Sequence, residues 1–290
     1  MTATALALVL AAALLHATWN LALKRSARKL VVSWLSLLPG TLLASPGLLL
    51  LPGGPGISPA AWACILATGL LHALYFLFLS EAYERGELSL VYPLARGSGP
   101  LLVALLAPLL LGEVLTPGGA TGIGLVVLGL FGVAGGPGPA TPRQSRLLAQ
   151  WHAPHVAMAL LTGLTIAGYS LVDKVGVGLV HPYLYQFFMF GVAFLALTPY
   201  VLWRQRPSLA SLRAEWRTVA LVGVFSFVAY LLVLFALRLA KVAYVVAARE
   251  VSIVFGVALG AAFLGERHGA RRLIAAASIA AGTLLIGLSR

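Results

Sequence analysis

The chain reads as an all-α integral membrane protein, with ten transmembrane helices arranged as two inverted five-helix repeats around a central cavity. Three observations carry that reading. Of 290 residues, 60% are hydrophobic and only 10% are charged, with a mean hydropathy of +0.97; a soluble domain carries about 25% charged residues. Ten stretches reach the roughly 20 apolar residues that a bilayer crossing needs. One of them also recurs: Arg96 to Glu113 reads RGSGPLLVALLAPLLLGE, and Arg249 to Glu266 reads REVSIVFGVALGAAFLGE. Both ends of the motif are offset by 153 residues (249 − 96 and 266 − 113).

The ten spans fall at 3–23, 31–51, 60–82, 89–112, 118–136, 154–173, 181–203, 217–237, 243–264 and 270–288. The first has no basic residue before it and exceeds a signal-peptide core, so it is read as a retained helix. On it, His16, Trp19, Asn20 and Lys24 recur at i, i+3, i+4 and i+8 and share one face. The second runs into the turn residues Pro52 to Gly56. The third repeats the polar-aromatic stripe with His72, Tyr75, Phe76 and Tyr83. Its one cysteine, Cys64, is the only cysteine of the chain, so no intrachain disulfide and no cysteine metal cage can form.

The fourth span places Tyr92 one turn before Arg96 and contains Pro93, Pro100 and Pro108. Each proline removes a backbone donor, which predicts a kinked or broken helix beside Arg96. Pro93 has no partner in the second copy, where Val246 stands, so the break is expected on one side only. The fifth span carries Gly118/Gly122 and Gly132/Gly136, and the ninth Gly256/Gly260. These small-xxx-small pairs suit close helix packing inside the monomer or a sliding or dimer face. Segment 137–153, GPGPATPRQSRLLAQWH, is the one linker-like connector and divides a first repeat, 1–136, from a second, 154–290.

The sixth span offers Tyr169 and Ser170, the eighth Tyr230, and the ninth Tyr244 with Arg249-Glu250. Trp19-Asn20-Leu21 and Lys24 match Tyr169-Ser170-Leu171 and Lys174 at an offset of 150, and Arg85 matches Arg238 at 153. An odd number of helices per repeat makes the second copy enter from the opposite side, the arrangement that places a site near the midplane of many transporters. Two related gates, Arg96 and Arg249, flanking one cavity are expected.

The net charge of +12 serves topology rather than nucleic acid binding. Connectors after spans 1, 3, 5, 7 and 9 hold fourteen lysines and arginines, and the other side holds four: Lys174, Arg238, Lys241 and Arg290. The positive-inside rule therefore predicts both termini outside the cytoplasm. No GxxxxGK[ST] and no HExxH occurs, and the eight carboxylates sit mostly at helix ends, Asp173 among them. These absences argue against direct ATP use, a metal site and an intramembrane hydrolase. No cofactor is expected.

What remains is a set of polar and aromatic groups that lipid would turn inward: Trp19, Asn20, His72, Tyr75, Tyr92, Arg96, Tyr169, Ser170, Tyr230, Tyr244, Arg249 and Glu250. Converging, they would line a substrate cavity. Structural readings stand beside this one. His16, Asn20 and His72 could make interhelical hydrogen bonds, Tyr83, Tyr92 and Tyr244 could anchor at the interface, and Lys24 and Lys174 could snorkel. Arg96 could pair with Glu81, and Arg249 with Glu250 could belong to a structural network.

At HATWNLALK (16–24), AYERGELSLVYPLARGSGPLLVALLAPLLLGE (82–113) and AREVSIVFGVALGAAFLGE (248–266), the sequence resembles the drug/metabolite transporter superfamily, specifically its ten-helix EamA branch. The resemblance implies a ten-helix basket with a central cavity that exports amino acids or other small metabolites, with aromatic amino acid exporters of the YddG type as one relation. It departs from the four-helix multidrug relatives, whose first helix carries a proton-coupling glutamate, because no acid occurs in this first helix. Many ten-helix members have cytoplasmic termini, whereas the charge count here places them outside. The expected partners are a small-molecule substrate and the lipid bilayer of an inner membrane, with no nucleic acid, and the expected working unit is a monomer. Carriers of a phosphonate, a sugar, a lipid-linked solute or a cationic drug are the alternatives, followed by a membrane enzyme or sensor.

Overall fold

Long uncharged runs leave the backbone no partner in lipid except itself, so they become helices. The computed structural model describes residues 1–26, 28–50, 56–85, 88–134, 154–264 and 269–289. Its helices are α1 (Ala3–Lys24), α2 (Lys29–Leu35), α3 (Leu37–Ala44), α4 (Pro59–Arg85), α5 (Leu88–Leu111), α6 (Pro117–Ala134), α7 (Pro154–Leu179), α8 (Pro182–Tyr200), α9 (Leu209–Ala214), α10 (Trp216–Leu239), α11 (Val242–Ala248), α12 (Ser252–Leu264) and α13 (Ala270–Leu288). Among the described residues, nine stretches are long and apolar enough to cross a membrane, and Pro117–Val133 is a shorter apolar tenth.

Four spans differ from the sequence expectation in ways that matter for the cavity. The second is interrupted at Ser36 between α2 and α3 and ends in a 3-10 turn, Ser45–Leu50. Pro39 lies one turn past Leu35 and has no N–H to continue that helix. The sixth runs six residues beyond Asp173, to Leu179, because Asp173 and Lys174 both find partners inside the bundle.

The expected break beside Arg96 is absent, since α5 is continuous from Leu88 to Leu111 through all three prolines. The interruption lies in the second copy instead. There α11 and α12 are separated by a 3-10 turn over Arg249–Val251. One missing donor at a time leaves the flanking hydrogen bonds of α5 to carry the helix. The second copy tightens where its charged pair, Arg249 and Glu250, is packed at 4% and 1% exposure.

The two repeats are interleaved. By the sequence offsets α1 corresponds to α7, α4 to α10, α5 to α11 and α12, and α6 to α13. The strongest packing runs between repeats: α6 on α13, α4 on α7, α1 on α10 and α5 on α7. The pairs α4–α7 and α1–α10 exchange under the correspondence, and α6–α13 maps onto itself, as a pseudo-two-fold relation requires.

At α6–α13 the backbones nearly touch. A Cβ on Gly282 would stand 2.5 Å from the Gly122 carbonyl, and one on Gly122 would stand 2.7 Å from that of Gly282. Ser278 Oγ also donates to the Leu125 carbonyl at 2.8 Å. Gly118, Gly122 and Gly132 thus meet neighbours within the chain, whereas Gly256 meets nothing within 4 Å; Gly136 lies outside the described residues. Leu109, Leu195, Trp203 and Leu284 project outward at 64–80% exposure, as a lipid-facing surface demands.

Candidate functional site

The inner faces of α1, α2, α3, α4, α5, α7, α8 and α10 and the Arg249 turn enclose a cavity of about 90 Å³. Its polar lining includes His16, Trp19, His72, Tyr75, Arg96, Tyr169, Tyr230 and Arg249. Seven of the twelve residues singled out in the sequence therefore meet there.

The two arginines share this cavity. Arg96 donates from Nε at 3.2 Å and from Nη2 at 2.9 Å to Oε2 of Glu250, which is 1% exposed. Arg96 thus pairs with a carboxylate of the opposite repeat, and its corresponding arginine is next in the chain. Arg249 donates from Nη2 to Tyr169 Oη at 3.3 Å, while its Nε is buried with no hydrogen-bond partner. Two guanidinium groups and one carboxylate leave this part of the cavity with one net positive charge.

An aromatic cluster forms the facing wall. His72 stacks on Tyr169 with ring centroids 4.1 Å apart and meets Tyr230 edge-on at 5.1 Å. Tyr75 meets Tyr169 edge-on at 6.1 Å, and His16 meets Trp19 edge-on at 4.6 Å. His72 Nδ1 lies 2.9 Å from the Thr68 carbonyl, which can only accept, so Nδ1 carries the proton. In the neutral ring Nε2 is then an acceptor, and it is buried without a partner. Trp19 Nε1 is likewise a buried donor with no partner. Two unused donors and one unused acceptor thus lie on residues of one cavity, each expensive to leave unmade.

Other expected residues lie elsewhere. Asn20 is exposed, and its Nδ2 donates to the His16 carbonyl at 2.7 Å on its own helix. Ser170 is buried but donates to the Ile166 carbonyl at 2.7 Å, also within its helix. A short polar side chain on a helix satisfies itself on the preceding turn unless a neighbour offers more. The side chain of Tyr92 lies outside the described residues.

Tyr244 belongs to a layer of bonds near the face that carries both termini. Its hydroxyl accepts from Thr116 N at 2.9 Å, and Lys241 lies 5.3 Å from its ring. Lys241 Nζ donates to the Val114 carbonyl at 2.5 Å, and Glu113 Oε1 accepts from Val242 N at 2.9 Å, covering the start of α11. Lys174 donates to the Leu237 and Ala240 carbonyls at 2.6 and 2.8 Å and lies 3.9 Å from Glu113. Lys174 is therefore tied inward rather than snorkelling. In the same layer, burial and then the charge of Arg238 hold the His181 imidazole below its ordinary pKa. The partners of Glu113 make it a structural cap; Glu266 lies outside the described residues.

Sequence reading passed over Asp173 by placing it at the end of a helix. It is fully buried on α7. Tyr185 Oη donates to its Oδ1 at 2.9 Å, and Tyr230 Oη donates to Oδ2. The signal was present, because a carboxylate next to so apolar a run is as costly as the arginines.

Residues 3–135 and 154–288 both match the EamA-like transporter family. The chain belongs to that family. A solved crystal structure is 18% identical to this EamA-like protein, with a TM-score of 0.78 over 99% of this chain and 98% of the other. At that identity the likeness speaks for the fold, which is thus an all-helical two-repeat basket. No curated protein matches. Family membership makes the chain a multi-pass membrane transporter of small solutes.

Proposed function

We propose that this EamA-like protein is an inner-membrane exporter of amino acids or similar small carboxylated metabolites, working as a monomer by alternating access. The observation that carries the reading is the Arg96–Glu250 pair beside Arg249, in a cavity with unused donors and an unused acceptor. A substrate carboxylate would take the Arg249 guanidinium and the Trp19 indole N–H. Arginine matches that group bidentately. The ammonium would be held by Glu250, His72 Nε2 and the faces of Tyr169 and Tyr230. A zwitterion brings no net charge, so it can engage Arg249 and Glu250 together and leave the one net positive charge of the site unchanged.

A cavity of about 90 Å³ is smaller than the ~150 Å³ site that takes up benzene. Small side chains suit this form, and the aromatic cargo of YddG-type exporters would need the walls to part. The one net positive charge supports a second reading, a singly anionic carboxylate without an ammonium group. In topology, the fourteen-to-four charge bias supports termini outside the cytoplasm, with repeats 1–136 and 154–290 joined by 137–153.

Proteoliposomes loaded with single labelled amino acids or with 2-oxo acids test both readings. Amino acid efflux that is lost in Arg249→Ala and Glu250→Gln supports the first. Efflux of 2-oxo acids alone supports the second. Full efflux in both variants removes the cavity charges from transport.

A further inference from the structure

Asp173 is used neither by the cavity charges nor by the tied layer, yet it stands between them. It lies on α7, next to Lys174 and three residues before Gly176. A Cβ on Gly176 would come within 2.2 Å of the Tyr185 ring. Through its two oxygens it joins α7 to α8 by Tyr185 and to α10 by Tyr230. The Tyr185 hydroxyl also lies 3.4 Å from the Cys64 carbonyl of α4, in the other repeat. Tyr230 has its ring in the cavity lining and its hydroxyl on Asp173, so it is a polar link from the cavity to the carboxyl.

The groups around it leave the ionised form without a counter-cation. From α8 comes Tyr185, from α10 Tyr230, and from α4 Thr68, Cys64 and His72; Tyr169 shares α7, and Arg249 faces it from the 3-10 turn. Arg249 is hydrogen-bonded to Tyr169, and Lys174 is tied to the carbonyls that end α10. Among the described residues, no lysine or arginine reaches ion-pairing distance of Asp173. A buried carboxylate held by hydroxyls alone can exchange its charge for a proton, and the exchange changes which bonds it makes.

We propose that Asp173 is a proton-binding site whose occupancy controls the closed layer near the termini. Ionised, it accepts both tyrosine hydroxyls and holds α7, α8 and α10 together beside the Lys174 ties. A proton from water in the cavity passes by way of the Tyr230 hydroxyl: Tyr230 gives its proton to Oδ2 and takes one from water. Protonated Asp173 then donates at Oδ2 where it accepted, the bond to the Tyr230 hydroxyl reverses and loses its charge assistance, and the restraint of the layer on α10 weakens. The proton leaves to the other aqueous phase once that layer has parted, so one proton is carried per opening.

The test needs no transported solute, so its outcome stands apart from the solute assignment above. In a Cys64→Ala background, Val114→Cys and Lys241→Cys report closure of the layer by cross-linking with a short bifunctional thiol reagent in proteoliposomes. Normalised at each pH to the rate at which the same reagent labels either single-cysteine variant, cross-linking should fall about tenfold between about pH 9 and about pH 5, the worth of one charge-assisted hydrogen bond. Asp173→Asn should stay at the low level at every pH. Asp173→Glu, which keeps the ionisable group, should restore the pH dependence and guards against a variant that fails to fold. Cross-linking that is flat with pH in the parent, or that keeps the parent profile in Asp173→Asn, overturns the proposal.

Discussion

The Arg96–Glu250 pair allows stability to be separated from transport. Removing one member of a buried ion pair leaves an uncompensated charge and costs about 3–5 kcal/mol, whereas replacing both by apolar groups is often neutral. The surroundings make the two single losses unequal. Without Arg96, Glu250 still has the guanidinium of its neighbour Arg249 within electrostatic reach, so Arg96→Met should fall near 3 kcal/mol. Without Glu250, two guanidinium groups share one cavity with no carboxylate among its lining residues, so Glu250→Met should approach 5 kcal/mol.

At about 2 °C per kcal/mol these become drops of about 6 and 10 °C in the midpoint of thermal unfolding. The double variant should recover most of the loss and still transport nothing. Midpoints in detergent for the parent, both single variants and the double variant supply the cycle. Additive losses, or single losses below about 1 kcal/mol, would falsify the assignment of Glu250 as the buried partner of Arg96.

Two further perturbations probe the packing and the closed layer. Gly282→Ala places a methyl 2.5 Å from the Gly122 carbonyl and should cost about 1–3 kcal/mol in unfolding midpoint. Gly256→Ala, with nothing within 4 Å, should be neutral or stabilising by about 0.5–1 kcal/mol; equal effects would refute the contact as the source of the cost. Glu113→Ala removes the acceptor at the start of α11 and a partner of Lys174, a loss of about 1–2 kcal/mol on the capping scale. Labelling of Val114→Cys by an impermeant thiol reagent should then quicken, and unchanged labelling would show that Glu113 does not restrain the layer.

Much of the architecture could be read directly from residue order. Apolar length locates the ten spans, and the 153-residue recurrence relates the repeats, because lipid allows the backbone few alternatives and an odd helix count forces inversion. The site was legible where charge or aromaticity is costly in lipid: His72, Tyr75, Arg96, Tyr169, Tyr230 and Arg249 all reach the cavity. It was not legible for Asn20 and Ser170, whose side chains turn back on their own helices. Helical periodicity assigns a face, and local hydrogen bonding decides whether a short side chain uses it.

The opening pair, Arg96 and Arg249, marks the boundary between the two kinds of information. Residue order alone requires that each be sheltered from lipid and that they occupy equivalent places, because burial cost and repeat offset are properties of the chain. Packing between helices brings them into one cavity, sets Glu250 of the second repeat against Arg96 of the first, and tightens the helix at Arg249 instead of at the prolines. It also moved Asp173 from an apparent helix end into the interior, between two tyrosines of other helices. Partners in a helical bundle are chosen by which faces meet, and that choice is made by packing between repeats.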